Sequence, residues 1–256
     1  MAIASVFILV FFAVYAGSCF VTCGKLFSKL FGQNYQLMMV VGALFVLLYT
    51  FLGGFLAESA SDFIQAIVMI IALVLVLTLG VSAAGGFLAV LENARQIPGF
   101  FDFFFTATPQ VDANCVQQLT AAGQPFFGDA QPYPLLTILS ELAWGLGYFG
   151  MPQVLLRFMG IRSEHELGRS RRVAIIWVVI SMAAAVFIGV VGRSVAGLDY
   201  LSNNDAENIF IDAATSYLPP ILAGFACAGV LAAAISSSDS YLLISASAVS
   251  QNLYRG

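Results

Sequence analysis

The sequence predicts an all-α membrane protein, a polytopic bundle of six transmembrane helices. Of the 256 residues, 60% are hydrophobic and only 9% are charged, whereas roughly a quarter of the residues in an ordinary soluble domain are charged. The charges are also clustered, and the intervals between the clusters can cross a bilayer, which needs about 20 apolar residues. These intervals are continuously apolar and do not show the period-2 alternation that marks the strands of a membrane barrel.

The six predicted spans follow the intervals between the charge clusters. Four intervals contain no charged residue, and two more are interrupted only by Glu141, Arg157 and Asp239. The first span is interpreted as a helix because no basic segment precedes it and its apolar run exceeds the roughly 7 to 15 residues of a signal peptide. The predicted spans are Ile3–Cys23, Tyr35–Leu56, Phe63–Leu91, Pro134–Phe158, Val173–Gly192 and Leu218–Ala246, the last helix continuing to Leu253.

The densest basic cluster lies between the fourth and fifth spans, over Arg162–Arg172. We predict that this segment is a cytoplasmic loop, because loops rich in basic residues stay on the cytoplasmic side. Both chain ends are then cytoplasmic, and Glu92–Tyr133 and Arg193–Ser216 lie outside. Aromatic side chains of the first outer segment suit the headgroup layer; they are Phe100, Phe101, Phe103, Phe104 and Phe105. In the second outer segment, apolar residues at helical spacing predict a short amphipathic helix over Asp205–Tyr217.

The composition argues against several classes of function. The net charge is −4, and the sequence has no basic stripe with interleaved aromatics, so it is not expected to bind nucleic acid. Gly145, Gly147 and Gly150 form a G-x-G-x-x-G pattern, but it lies inside an apolar span and not after the strand that a dinucleotide site requires. The four cysteines have no disulfide or zinc spacing. Because no nucleophile and base constellation is present, we predict that the protein is not an enzyme.

The glycines of the fourth span predict a discontinuous helix. Together with Pro152 they fall in the middle of the bilayer, where broken backbone is tolerated only if it is buried or lines a cavity. Trp144, Tyr148 and Pro152 are spaced i, i+4, i+8 and therefore share one face of a near-helical segment. That face is suited to wall a small-molecule site, and close helix packing through the glycines is an equally good interpretation.

The last span contains a run of hydroxyl groups that begins at Ser236. Hydroxyl and carbonyl oxygens are the ligands that a hard cation such as Na⁺ prefers. The alternative is packing of small residues, with each serine bonded back to its own helix, which is the commoner use of such residues. Asp239 and Glu141 are intramembrane carboxylates, which are costly and usually functional. Each is open to interpretation as a gate, a proton site, or a snorkelling or capping residue.

Four stretches together are far more specific than any one of these motifs. They are LYTFLGGF at Leu48–Phe55 followed by Asp62, AWGLGYFG at Ala143–Gly150, RFMGIRS at Arg157–Ser163, and LAAAISSSDSYLL at Leu231–Leu243 with NLY at Asn252–Tyr254. At these residues the chain resembles the sodium/solute symporter family, and most closely its bacterial sodium/proline symporters. The similarity runs over essentially the whole chain.

The resemblance implies the inverted-repeat fold of two five-helix halves, placed in a bacterial cell membrane. The chain is similar to the last three core helices of the first repeat and the first three of the second. Residues 1–256 are therefore expected to be a single transmembrane domain that is incomplete at both ends. The first core helix, which in the family provides part of both the sodium and the substrate sites, then lies outside this chain.

The function that the resemblance implies is Na⁺-coupled symport of L-proline or a related small amino acid into the cell. By resemblance, the Na⁺ ligands are the backbone carbonyl of Ala233 and the hydroxyls of Ser236 and Ser237. The substrate residues implied in the same way are Trp144, Tyr148 and Pro152, with Tyr15 as a further aromatic candidate. The expected partners are the sodium ion, a small zwitterionic substrate and the lipid bilayer.

Two further observations bear on this expectation. Proline carriers commonly show Gln-Pro-His where this chain has Met151, Pro152 and Gln153, so the identity of the substrate is left open between proline and its relatives. Membrane modules of this kind are also found fused to signalling domains. The alternative function is therefore the membrane sensory module of a symporter-like signalling protein.

Overall fold

Among the described residues, the regular structure is helical apart from one short two-stranded antiparallel sheet and three isolated β-bridges. The computed structural model describes residues 2–113, 116–123, 125–148, 150–196 and 206–254. The elements in chain order are α1 (Ala2–Phe31), α2 (Tyr35–Ala83), α3 (Phe87–Arg95), β1 (Phe105–Thr106), β2 (Gln131–Pro132), α4 (Leu135–Tyr148), α5 (Pro152–Met159), α6 (Glu164–Ala196), α7 (Ile209–Tyr217) and α8 (Pro220–Ser247), followed by a π-helix (Ala248–Tyr254). The all-α class is confirmed.

Five helical segments of the described residues are long and apolar enough to cross a membrane, against the six spans predicted. They are Ile3–Phe31, Tyr35–Leu56, Glu58–Ala83, Glu164–Val195 and Pro220–Tyr254. The predicted fourth span is instead divided into α4, with 14 residues, and α5, with 8. The predicted discontinuity is thus present. Because neither α4 nor α5 is long enough to cross a membrane alone, five continuous spans are found in the described part of the chain where six were predicted.

Proline chemistry explains where the fourth span is interrupted. Pro152 occupies the first turn of α5, where its missing N–H costs no hydrogen bond. The preceding residue, Met151, is extended at φ −69° and ψ 129°, because the proline ring disfavours helical backbone in the residue before it. The chain can therefore start a new helix at Pro152, but it cannot continue the old one.

Glycines set the limits of the second and third predicted spans. The second span and most of the third lie within α2, which is kinked at Gly54, where φ is 57° and ψ is −169°. The predicted end of the third span at Leu91 is wrong, because α2 ends at Ala83 and α3 is a separate helix. Gly85 and Gly86 lie between them at φ 87° and 103°, a backbone conformation that residues with a Cβ rarely adopt.

The predicted cytoplasmic loop Arg162–Arg172 is mostly helical, since α6 begins at Glu164. Ser163 and Glu166 have the S-x-x-E spacing of a capping box, and the Ser163 hydroxyl accepts a hydrogen bond of 3.4 Å from the Glu166 N–H. Helix α1 likewise continues past Cys23 to Phe31 and carries Lys29 in its last turn. Charged residues end an apolar span without ending the helix.

The chain divides into two compact units. The first comprises Met1–Ala72, Met151–Leu167 and Gly224–Gly256, and the second comprises Leu73–Gly150 and Gly168–Ala223. In the second unit, strands β1 and β2 pair in antiparallel fashion. The Arg193 guanidinium lies 4.8 Å from the centre of the Phe127 ring, so this loop is held against α6.

The predicted amphipathic helix corresponds to α7, which begins at Ile209; Asp205 lies outside the described residues. Its inner face buries Ile211, Ala213 and Ala214, and Glu207 just before it is exposed. Burial of this face indicates that α7 packs against other elements.

Replacing Gly229 by alanine is expected to destabilise the first unit. An added Cβ would lie 2.5 Å from the Cβ of Ala72, so α8 and α2 would have to separate, at a cost of about 1 to 3 kcal/mol. Gly224→Ala is the matched control on the same helix, because nothing lies within 4 Å of an added Cβ there. The apparent melting temperature in detergent should fall for Gly229→Ala only, and equal values for both variants would contradict this packing.

Candidate functional site

The predicted Na⁺ ligands lie on one face of α8. The Ser236 hydroxyl donates a hydrogen bond of 3.1 Å to the carbonyl oxygen of Ala233, and Ser237 is spaced i+4 from Ala233 on the same side. Ala233 is exposed, whereas Ser236 and Ser237 are half-buried. A backbone carbonyl and two hydroxyls therefore lie on the same side of α8, and uncharged oxygens of this kind suit a hard monovalent cation.

The two intramembrane carboxylates whose roles the sequence left open, Asp239 and Glu141, have different environments. Asp239 is 0% exposed, and its Oδ1 accepts a hydrogen bond of 2.7 Å from the backbone N–H of Ser240. This burial does not fit a snorkelling residue, which was one of the interpretations of Asp239 that the sequence left open. Its Oδ2 has no hydrogen-bond partner among the described residues. Glu141, on α4, is exposed.

One turn past the serine pair, an ion-pair network joins three helices of the first unit. We call Arg157, Glu58, Asp62 and Ser240 the Arg157 cluster. Arg157, on α5, donates from Nη2 to Asp62 Oδ2 and, at 2.9 Å, to Ser240 Oγ. The same nitrogen lies 3.5 Å from Glu58 Oε1, and the Ser240 hydroxyl donates a hydrogen bond of 2.5 Å to that oxygen. Glu58 and Asp62 share a face of α2, four residues apart.

The predicted aromatic face of α4 is present. The rings of Trp144 and Tyr148 lie 5.9 Å apart between centroids, at an angle of 45°. Trp144 is 70% exposed, so its ring has a free face. These two residues belong to the second unit, and their spacing holds them together as the sequence predicts.

The other two predicted substrate residues belong to the first unit and have different partners. Tyr15, on α1, lies 5.3 Å from Tyr241 on α8 between ring centroids, and Tyr241 is one turn past Ser237. Pro152 lines an apolar cavity of about 540 Å³ together with Phe55 and Leu243. Tyr15 is thus held at the α8 face that carries the serines, while Pro152 faces a separate, mostly apolar space.

The Arg157 cluster was missed as a site, although a signal for it is present in the sequence. Glu58 and Asp62 are spaced i, i+4 at the start of an apolar span, and Arg157 is a lone cation near the end of another. Charges in such positions usually pair with one another inside the helix bundle. Ser240 carries no such signal, because one serine in a serine-rich helix cannot be told from its neighbours.

Comparison with known proteins gives a consistent result. The sequence model described as the sodium:solute symporter family matches residues 1–256. The chain is 34% identical over 254 residues to the osmoregulated proline transporter OpuE of Bacillus subtilis, covering 99% of this chain and 46% of that protein. It is 34% identical to sodium/proline symporter 2 of Staphylococcus saprophyticus, covering 99% and 44%, and 32% identical to a sodium/proline symporter of Staphylococcus aureus, with the same coverage. The chain thus spans less than half the length of these relatives, and no solved structure gives a significant match.

Proposed function

The chain belongs to the sodium:solute symporter family, and we propose that it serves Na⁺-coupled symport of L-proline or a related small amino acid into a bacterial cell. The proposal draws its coupling ion and substrate from the relatives that are named sodium/proline symporters. The observation on this chain that carries it is the set of three oxygens on one face of α8, at Ala233, Ser236 and Ser237. A transporter, and not an enzyme, is the class to which such a family member belongs.

The proposed Na⁺ site uses the Ala233 carbonyl and the hydroxyls of Ser236 and Ser237. The Ser236 hydroxyl proton now points to the Ala233 oxygen at 3.1 Å. For both oxygens to present lone pairs to one cation, this hydroxyl has to rotate its proton away from Ala233, which a serine side chain can do with little cost. Among the described residues, no group of three or more histidine, cysteine, aspartate or glutamate side chains is arranged to hold a metal ion.

The proposed substrate site uses the free face of Trp144, with Tyr148 beside it. An aromatic face attracts both an apolar pyrrolidine ring and a positively charged amine, which proline combines in one small molecule. Tyr15 and Pro152 are proposed as further substrate residues. The contact of Tyr15 with Tyr241 supports a second role for Tyr15, beside the proposed Na⁺ ligands of α8.

One Na⁺ per substrate is energetically sufficient for uptake against a gradient. A membrane potential of 100 mV contributes about 2.3 kcal/mol per charge, and a tenfold Na⁺ gradient contributes about 1.4 kcal/mol more. Together they support roughly several-hundredfold accumulation. Coupling requires that Na⁺ and substrate together favour the occluded state more than either does alone.

The proposal is tested by uptake of labelled L-proline into proteoliposomes that contain the protein encoded by the complete reading frame of this chain. We expect uptake with an inward Na⁺ gradient and only background uptake when choline or K⁺ replaces Na⁺. Unlabelled small zwitterions added in turn define the substrate by competition. Equal uptake with all three cations, or none with any of them, would contradict the proposed function.

A further inference from the structure

A single nitrogen of Arg157 joins three helices that carry different parts of the proposed function. Its Nη2 contacts Asp62 and Glu58 on α2, and Ser240 on α8. Arg157 itself lies on α5, the helix that begins at Pro152. The Arg157 side chain is 49% exposed, whereas those of Glu58 and Asp62 are 6% and 14% exposed. The guanidinium is therefore the partner that can leave, and the two carboxylates are the ones that stay.

The Ser240 hydroxyl stands between this network and the proposed Na⁺ site. Its oxygen accepts from Arg157, and its one proton has two acceptors within reach: Glu58 Oε1 at 2.5 Å and the backbone carbonyl of Ser236 at 3.1 Å. One proton can serve only one of them fully. Ser240 therefore has two hydrogen-bonding arrangements. In one its hydroxyl donates to Glu58, and in the other it donates to the backbone carbonyl of Ser236, whose own hydroxyl is a proposed Na⁺ ligand.

The charges of the cluster are not balanced. Two carboxylates face one guanidinium, and a third carboxyl, that of Asp239, is fully buried next to Ser240. Among the described residues, Glu58 Oε2, Asp62 Oδ1 and Asp239 Oδ2 are buried without a hydrogen-bond partner. A link that served stability alone would be made at lower cost by apolar side chains. Polar groups held in this costly arrangement inside apolar helices indicate a link that has to be made and broken.

We propose that the Arg157 cluster is the link that couples Na⁺ occupancy on α8 to the position of α5. Arg157 is a positioning residue in this proposal, because it acts through Ser240 and through the backbone of Ser236. An ion bound by the Ser236 hydroxyl shifts the α8 backbone at Ser236 and with it the Ser236 carbonyl, so Ser240 changes its acceptor and the contact of Arg157 with α8 changes with it. Pro152 then moves as the first residue of α5. The inference rests on the proposed function, because the link joins the proposed Na⁺ ligands on α8 to the proposed substrate residue Pro152 on α5.

The test is the effect of Na⁺ on substrate affinity. L-proline binding is measured, with and without Na⁺, on the purified protein that the complete reading frame of this chain encodes. Coupling factors between two ligands are typically about 5- to 150-fold. We expect Arg157→Gln to reduce the factor to about twofold or less while L-proline affinity without Na⁺ changes by less than about threefold. Ser240→Ala removes the relay without removing a charge and should reduce the factor as well. Arg162→Gln, which removes an exposed guanidinium five positions away, should leave it unchanged.

The outcomes separate the two proposals. A wild-type protein whose L-proline affinity does not respond to Na⁺ would overturn the proposed function itself. A normal wild-type factor that persists in both Arg157→Gln and Ser240→Ala would overturn the link alone. Arg157→Lys keeps the charge and should recover part of the factor, which a loss of folded protein would not allow. If Arg157→Gln does not fold, Ser240→Ala decides the question by the same measurement.

Discussion

Replacing Ser236 by alanine is expected to raise the Na⁺ concentration needed for half-maximal L-proline uptake at least tenfold. The variant removes one of three proposed oxygen ligands and leaves the Ala233 carbonyl in place. A polar contact to a charged group contributes about 1.5 to 3 kcal/mol, which corresponds to roughly 10- to 150-fold in affinity. The measurement is initial uptake into proteoliposomes over a range of Na⁺ concentrations at saturating substrate.

A neighbouring serine supplies the matched control for this experiment. Ser238 is 1% exposed, and its hydroxyl donates to the carbonyl of Ile235 at 3.1 Å within its own helix. Ser238→Ala makes the same chemical change five positions beyond Ala233, on a different face of α8, and should leave the Na⁺ dependence within about twofold of wild type. Ser237→Ala should resemble Ser236→Ala. Unchanged Na⁺ dependence in Ser236→Ala would remove the assignment of this site.

The second large effect is expected for Trp144→Ala, which should weaken L-proline binding about 10- to 30-fold. The exposed ring face of Trp144 is lost, and with it the apolar contact and the cation–π attraction for the substrate amine, which is worth up to about 2 kcal/mol. The Na⁺ concentration for half-maximal uptake at saturating substrate should change by less than about threefold. Equilibrium binding and uptake kinetics on the same preparation measure both quantities.

Two variants of α4 make this result specific. Trp144→Phe keeps an aromatic face and should recover most of the affinity. Leu146→Ala removes a side chain that is 75% exposed on the same helix but is displaced by two positions from Trp144, and it should leave binding unchanged. Equal losses of substrate and Na⁺ affinity in Trp144→Ala would point to disturbed folding and count against a substrate contact.

Local sequence signals predict most of the helices correctly because their causes are local. Apolar intervals between charges determine the five continuous spans. The proline at position 152 interrupts the remaining predicted span, which is the fourth in chain order. The S-x-x-E spacing at Ser163 marks the start of α6, although the charge pattern alone suggested a loop over Arg162–Arg172. The i, i+4 spacing of Trp144 and Tyr148 was sufficient to bring their rings together. Each of these features depends on residues within one or two helical turns.

By itself, then, the sequence determined the all-α membrane class, the broken helix, the serine face of α8 and the family. Only the tertiary structure decided that Glu58, Arg157 and Ser240 meet, that Asp239 is buried, and that the ring of Tyr15 contacts that of Tyr241. Glu58 and Arg157 are 99 positions apart in the chain, and Glu58 and Ser240 are 182 apart. Periodicity assigns a residue to a face of its helix, but the partner of that face is chosen by how whole helices pack. The physical reason is that a charge in an apolar segment needs a counter-charge from another helix, and which helix supplies it is a property of the folded bundle.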